Sequence, residues 1–312
     1  MSDPLSYSPE ELGKILKVSK GTVYELIRRG EIPSYRVGKK IRISQADLQV
    51  YMHAGETPAK MSNSANIQQS LEKIIIENQG LIICGQDIIL DLLTRYLEKR
   101  NPMLRSLRSY VGSIDGLLAL YKGTANITAT HLWDGETGEY NIPYVRRLLP
   151  GQRVVIINLV YRTLGFYVAP GNPLAIQDWT DLLKPEVRLI NRDKGSGTRV
   201  MLDEHLRNLD IDARDIRGYE NEEMSHVAVA SAVARGLADV GLGTEKASSQ
   251  VSEVEFIPLT KERYDLVFYK NDLAKSNFQT VLSVLQSADF RDEVNGMGGY
   301  DTSRMGEVMG EL

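Results

Sequence analysis

One cysteine, Cys84, in 312 residues excludes an internal disulfide and fits a reducing compartment. It ends the apolar run LIIC and reads as a small buried side chain rather than a reactive thiol. The four histidines, His53, His131, His205 and His226, have no neighbour at metal-ligand spacing, so no structural metal and no resident cofactor are expected. No run of about 18 apolar residues occurs, and the first residues lack the pattern of an export signal. A soluble, cytoplasmic chain without membrane contact is expected. His131 with Asp134, and His226 with Ser225 and Glu222 or Glu223, can be drawn as acid–base pairs. With no G-x-S-x-G elbow and no P-loop beside them, no catalytic residue is assigned and no enzyme is expected.

The charge that is present is unevenly placed. The net charge is −4, yet residues 1–60 carry ten Lys or Arg against seven Asp or Glu, and the remainder carries 27 against 34. Within that basic head, Ser8 and Glu11 form a capping box that starts a helix at Pro9, with Leu12, Ile15 and Leu16 facing a core. Ser19 caps a second helix, about Lys20 to Arg29, which buries Val23, Leu26 and Ile27 and stops at Gly30. Its outward residues Lys20, Thr22, Tyr24 and Arg28 are placed to meet DNA, the first three at base edges. Ser34 to Ile43 turns at Gly38-Lys39 into a two-stranded wing. Tyr35, Arg36, Lys39, Lys40 and Arg42 lie on it, suited to phosphate or minor-groove contact. A third helix, Ser44 to Met52, closes the module with Leu48 and Tyr51 inward.

These residues, above all VSKGTVYELIRRGEIPSYRVG, resemble the excisionase-type helix-turn-helix family, related to the winged helices of mercury-resistance regulators. The resemblance covers nearly all of residues 7–53 and implies double-stranded DNA as a partner. A linker follows over 54–79. In it Ile67, Leu71, Ile74 and Ile75 recur at helical spacing, in a stripe that pairs with a second subunit or packs on its own effector domain.

From Gly80 strands and helices alternate as in an open parallel sheet. Strand exits at Gly85-Gln86-Asp87, Gly112-Ser113, His131-Leu132-Trp133-Asp134, Arg192-Asp193-Lys194-Gly195-Ser196-Gly197-Thr198-Arg199 and Ser225-His226 place polar groups at helix starts, where ligands of open sheets bind. The candidate ligand residues are Gln86, Asp87, Ser113, His131, Trp133, Arg192, Ser196, Gly197, Thr198, Arg199, Ser225 and His226. Arg153–Val160 and Gly165–Ala169 lead into a second lobe, and Phe256–Leu259 with Tyr264–Phe268 return from it. Two sheets joined by a double crossing make a hinged clamshell. Lobe 1 spans about 80–155 and 265–300, lobe 2 about 160–260, and a loosely ordered tail runs over 301–312.

The segments GSIDGLLAL, HLWDGETGEYN, NRDKGSGTR and ADVGLG in this order resemble the molybdate-binding-like domain family, cytoplasmic relatives of type II periplasmic binding proteins. The fold class expected is a winged helix-turn-helix plus an α/β two-lobed clamshell of that type. The resemblance implies a regulator of molybdenum or tungsten uptake or cofactor metabolism, with molybdate or tungstate as effector. The residues leave the ligand open: Ser113, Ser196, Thr198 and helix N-termini suit an oxyanion. Asp87, Asp115 and Asp134 oppose one if they point inward, and His131, Trp133, Arg192 and Arg199 suit an organic ligand such as a pterin or a phosphorylated metabolite. One helix-turn-helix covers one half-site, so a homodimer on a two-fold operator is expected.

Overall fold

The computed structural model describes residues 6–38, 40–45, 47, 48, 51 and 80–312, which fall into two units, Met1–Glu72 and Lys73–Leu312. In the first, strand β1 (Ser6–Tyr7) leads into helix α1 (Pro9–Leu16). The Glu11 carboxylate accepts the Ser8 N–H at 2.8 Å while the Ser8 hydroxyl accepts the Glu11 N–H at 3.3 Å, the reciprocal cap expected. Ser19 caps α2 (Lys20–Arg28) by accepting from the Thr22 N–H at 3.1 Å. β2 (Tyr35–Val37) and β3 (Lys40–Ser44) form the wing, and β1 pairs with the far edge of β3, so it has three strands rather than two. Leu12, Val23, Ile32, Ile43 and Leu48 are the core of the head. Ile15, expected inside, is 44% exposed, because α1 is short and turns only its Leu12 face inward. Gln45, Asp47, Leu48 and Tyr51 are helical; the full extent of the third helix, and the linker with Ile67, Leu71, Ile74 and Ile75, lie outside the described residues.

In the second unit β4 (Gly80–Cys84), α3 (Ile89–Arg100), β5 (Arg105–Ser109), α4 (Ser113–Tyr121) and β6 (Ile127–Thr130) alternate, with β4 parallel to both β5 and β6. After α5 (Ile142–Leu148) comes β7 (Val154–Val168), a single strand of 15 residues. β8 (Leu189–Arg192), α6 (Gly197–Asn208), β9 (Glu222–Glu223), α7 (His226–Ala234), β10 (Val240–Thr244) and α8 (Glu245–Ser248) make the second lobe. β11 (Glu255–Tyr269), also 15 residues, returns antiparallel to β7 along its whole length. The two lobes therefore share one ten-stranded sheet, not two sheets joined by separate crossing segments. The mid-strand charges Arg162 and Glu262 interrupt the apolar pattern without interrupting the strands, because they stand opposite each other and pair.

Four apolar clusters fill the two faces of this sheet, two in each lobe. In lobe 1 the inner strands bury one face under α3, α9 (Ser276–Leu285) and α10 (Ala288–Met297), and the other under α4 and α5. In lobe 2, α6 covers one face and α7 the other. The chain end is ordered, contrary to the expected tail: β12 (Tyr300–Asp301) and β13 (Val308–Glu311) pair with β7, and Leu312 exchanges backbone hydrogen bonds with Val154 at 3.0 Å each way. Gly306 and Gly310 sit in a segment that completes the sheet edge.

Asp265 ties the hinge together. Fully buried on β11, its carboxylate accepts from Asn141 Nδ2 at 2.8 Å, Asn158 Nδ2 at 3.0 Å and Arg263 Nε at 2.7 Å. Removing it leaves buried donors unmatched. Asp265→Ala is predicted to destabilise the protein by about 3–5 kcal/mol, read as a lower unfolding midpoint in denaturant. A midpoint equal to wild type would contradict this role.

Candidate DNA interface and ligand cleft

On the head, the start of α2 and the wing border a groove of about 610 Å³ lined by Lys20, Tyr24, Lys40 and Arg42 together with Glu10 and Glu11. Thus four of the expected DNA residues converge. Lys20 reaches Glu10 at 3.3 Å and Arg42 reaches Glu11 at 3.8 Å, exposed pairs weak enough for a polyanion to displace. The Thr22 hydroxyl is 2.9 Å from that of Ser19, and Arg28 pairs with Glu25 at 2.7 Å on the outer side of α2. Tyr35 is 44% exposed on β2, the strand that also carries Arg36. Lys39 lies outside the described residues.

In the second unit the lobes meet over a cavity of about 10 Å³, room for about one water. Lobe 1 supplies Gly85, Gln86, Asp87, Val111, Gly112, Ser113, Ala129 and His131; lobe 2 supplies Ser196, Gly197 and His226; Arg162 and Tyr264 rise from the shared strands. Ser113 opens α4, whose N-cap Gly112 offers no side chain, and Ser196 caps α6, so two helix starts face each other across the cavity. The Ile114 N–H already donates to Gly195 O in the opposite lobe at 3.0 Å. A Cβ on Gly197 would stand 2.7 Å from the His131 ring, so only glycine permits this approach.

Arg162 organises the floor. Its Nε donates to Glu262 at 2.5 Å and its Nη1 to Asp87 at 2.5 Å, while the guanidinium lies 4.1 Å from the Tyr264 ring centre. Tyr300 donates to Asp87 at 2.6 Å, and His131 Nδ1 is 2.8 Å from Glu262. Burial works against the Glu262 carboxylate, but Arg162 and His131 hold its pKa down at about 2. Burial, then the neighbouring guanidiniums, lowers His131 despite Glu262. Burial lowers His226 further, helped by Arg192, Arg162 and His131; its Nδ1 is buried without a partner.

Seven of the expected ligand residues line the cavity: Gln86, Asp87, Ser113, His131, Ser196, Gly197 and His226. Ser225 borders an adjoining space of about 110 Å³ that also touches Gln86, Asp87 and His226. Arg192 stands behind, joining the lobes through Gln86 and holding Asp193 at 2.8 Å and two backbone carbonyls. Thr198 is buried with an unpartnered hydroxyl but does not border the cavity. Arg199 turns away, to Asp203 at 3.2 Å, Glu222 at 3.3 Å and the Tyr219 ring. Trp133 stacks on His205, outside the cavity lining. His131 pairs with Glu262 rather than Asp134, whose carboxylate accepts N–H groups of its own loop. Asp115 is exposed. Arg162, Tyr264 and Glu262 were not expected, since they sit mid-strand; Arg162 inside a largely apolar run was the available signal, whereas Glu262 stands among Lys261, Arg263 and Asp265 and gives none. Among the described residues no cluster of three or more metal-binding side chains occurs, and no helix is long and apolar enough to cross a membrane.

Residues 6–55 match the family model of a helix-turn-helix domain, and residues 94–286 that of a PBP superfamily domain. The chain is 40% identical to YvgK of Bacillus subtilis (strain 168) over 314 residues, 99% of each chain. Its fold is similar to that of a Clostridium perfringens protein of the ABC-transporter substrate-binding type solved with bound phosphate, at TM-score 0.54 and 13% identity over 71% of this chain and 98% of that one. It is also similar to a mutant OxyR of Corynebacterium glutamicum with hydrogen peroxide bound, at TM-score 0.51 and 15% identity over 91% and 88%.

The two cleft histidines give a pH test. The folded cleft refuses protons that the unfolded chain takes up near pH 6.5, so their contribution is full above that pH and falls as pH drops through it. The melting temperature is predicted to drop between pH 7.5 and 5.5, and His226→Gln to shrink that drop by roughly 2–4 °C. An unchanged pH slope in the variant would show that His226 is not held neutral.

Proposed function

The chain belongs to the PBP superfamily, with an excisionase-type helix-turn-helix domain at its head, and on that premise we propose that it is a ligand-responsive transcriptional regulator. Its head reads double-stranded DNA and its cleft holds a small oxyanion, molybdate or tungstate, as effector; it works in the cytoplasm, as a homodimer on a two-fold site, and without catalysis or resident cofactor. The observation that carries the ligand assignment is the facing pair of helix starts with Ser113 and Ser196, one from each lobe, over a floor formed by Arg162. The Ser113 hydroxyl and the N–H groups of the two helix starts suit a tetrahedral oxyanion, which enters as the lobes part and frees the Ser196 hydroxyl and Ile114 N–H from their present acceptors, Asp193 O and Gly195 O. Asp87 lines the cavity engaged by Arg162 and Tyr300, but Glu262 shares that guanidinium, so the floor sets two carboxylates against one cation and a dianion must be held by the helix-start donors.

A cavity of about 10 Å³ holds about one water, so an oxyanion and, to a greater degree, a pterin ring both require the lobes to part. The adjoining space of about 110 Å³, walled by Ile88, Val227, Ala247 and Tyr300, favours a second reading in which the oxyanion carries a small organic body, as in a phosphorylated metabolite.

Calorimetric titration with molybdate, tungstate, sulfate and methylphosphonate separates these readings. Binding of the first two, lost in Ser113→Ala and Ser196→Ala by at least about tenfold, is the expected result. Methylphosphonate alone giving heat selects the second reading, and silence from all four overturns both. Lys20→Ala is predicted to weaken DNA binding by about 1–3 kcal/mol and to relax base preference at the position it reads, leaving oxyanion binding unchanged; equal loss of both would contradict the division of labour.

A further inference from the structure

The chain has two tryptophans, and both enter one stack. The His205 ring lies between them, 4.5 Å and 17° from Trp133, 4.2 Å and 16° from Trp179. His205 belongs to α6 and Trp179 to a short 3-10 turn, Trp179–Leu183, both in lobe 2, whereas Trp133 comes from the loop after β6 in lobe 1. Beside the stack the Glu204 carboxylate accepts the Gly135 N–H at 3.0 Å, and Asn208 Nδ2 donates to the Gly135 carbonyl at 2.9 Å. A Cβ on Gly135 would stand 2.7 Å from Glu204 Oε2 and 2.8 Å from Asn208 Nδ2, so a side chain there would displace the ends of both partners.

The lobe 1 side is held stiffly. Asp134 accepts the Glu136 N–H at 2.9 Å, Trp133 bridges to Tyr140, and Asn141 accepts the Leu132 N–H at 2.7 Å while donating to the buried Asp265 of the hinge. On the lobe 2 side, α6 begins at the cavity, and Glu204, His205 and Asn208 sit roughly 10–16 Å further along it. These contacts exist only when the lobes are together, and they lie away from the cavity lining.

We propose that Trp133, His205, Glu204 and Asn208 are positioning residues that latch the lobes and thereby set how tightly the cleft holds its ligand. The proposal rests on the reading of the cleft as a ligand site. A ligand that binds the closed form gains affinity in proportion to the fraction of molecules already closed, so contacts remote from it act on affinity through that fraction. Trp133 reports on the contact between the lobes, while Trp179, buried in the lobe 2 core against Phe166, supplies a nearly constant background to the emission.

The test uses the full chain, acrylamide quenching of tryptophan emission, and calorimetry with molybdate. Glu204→Ala and Asn208→Ala leave all three rings in place, and Asn208 lies at the exposed end of α6, where its loss spares the core of the lobe. Without ligand, both variants are expected to be quenched at least about twofold more strongly than wild type, and saturating molybdate to restore protection. Molybdate affinity is expected to fall about tenfold, with stoichiometry unchanged. His205→Ala should weaken binding at least as much. Wild-type quenching and wild-type affinity in both Glu204→Ala and Asn208→Ala would overturn the latch. If the wild-type chain takes up no molybdate, the oxyanion reading fails by itself, and the ligand-free quenching comparison still decides for or against the latch.

Discussion

The buried guanidinium of Arg162 is the constraint around which the effector unit is arranged. A cation removed from water survives only with close counter-charges, and Glu262 and Asp87 supply them at 2.5 Å each. Glu262 comes from the other hinge strand, Asp87 from the turn before α3, and Tyr300, donating to Asp87, from the closing strand of the chain. One side chain thus fixes the register of β7 on β11, the start of α3 and the seat of β12. The same network holds His131 against Glu262 and lays the cation along the Tyr264 ring, so the cleft floor and the hinge are one assembly.

This arrangement explains how a small ligand can act at a distance. The lobes share strands β7 and β11, so closure bends a continuous sheet at the point where its side chains turn polar, rather than moving two bodies on a loose tether. In the proposed reading, a ligand between the helix starts of Ser113 and Ser196 and the remote stack at His205 favour the same closed arrangement. Regulation of DNA binding then requires only that the DNA-reading form differ in its preference for that arrangement, by a coupling on the order of 1–3 kcal/mol.

Much of this was legible from the sequence, for identifiable reasons. The head announces itself through local signals: the Ser8 and Glu11 cap, the Ser19 cap, Val23 and its neighbours at helical spacing, and Gly38 in the wing turn, all acting within a few residues. The cleft was legible where strand exits carry Ser113, His131, Ser196 and His226, because in an open sheet such exits share one edge. What escaped depends on long-range pairing. Arg162 looks like a break in an apolar run and Glu262 like one charge among several until they face each other a hundred positions apart. Arg199 follows a glycine-rich turn, as an anion-binding arginine would, but its place on α6 sends it towards Asp203 and Glu222. Trp133 suggests a ring-binding residue until His205 is seen to occupy its face, and the glycine-containing end gives no hint that β7 offers it an edge.

Linkage between occupancy of the cleft and occupancy of DNA is read by titrating the protein onto a duplex it has itself selected from random-sequence DNA, with and without saturating molybdate. Linked sites give midpoints separated by about tenfold or more, and a change of molybdate affinity by the same factor when DNA is bound. Identical midpoints, in a protein that binds both molybdate and the duplex, would contradict the linkage.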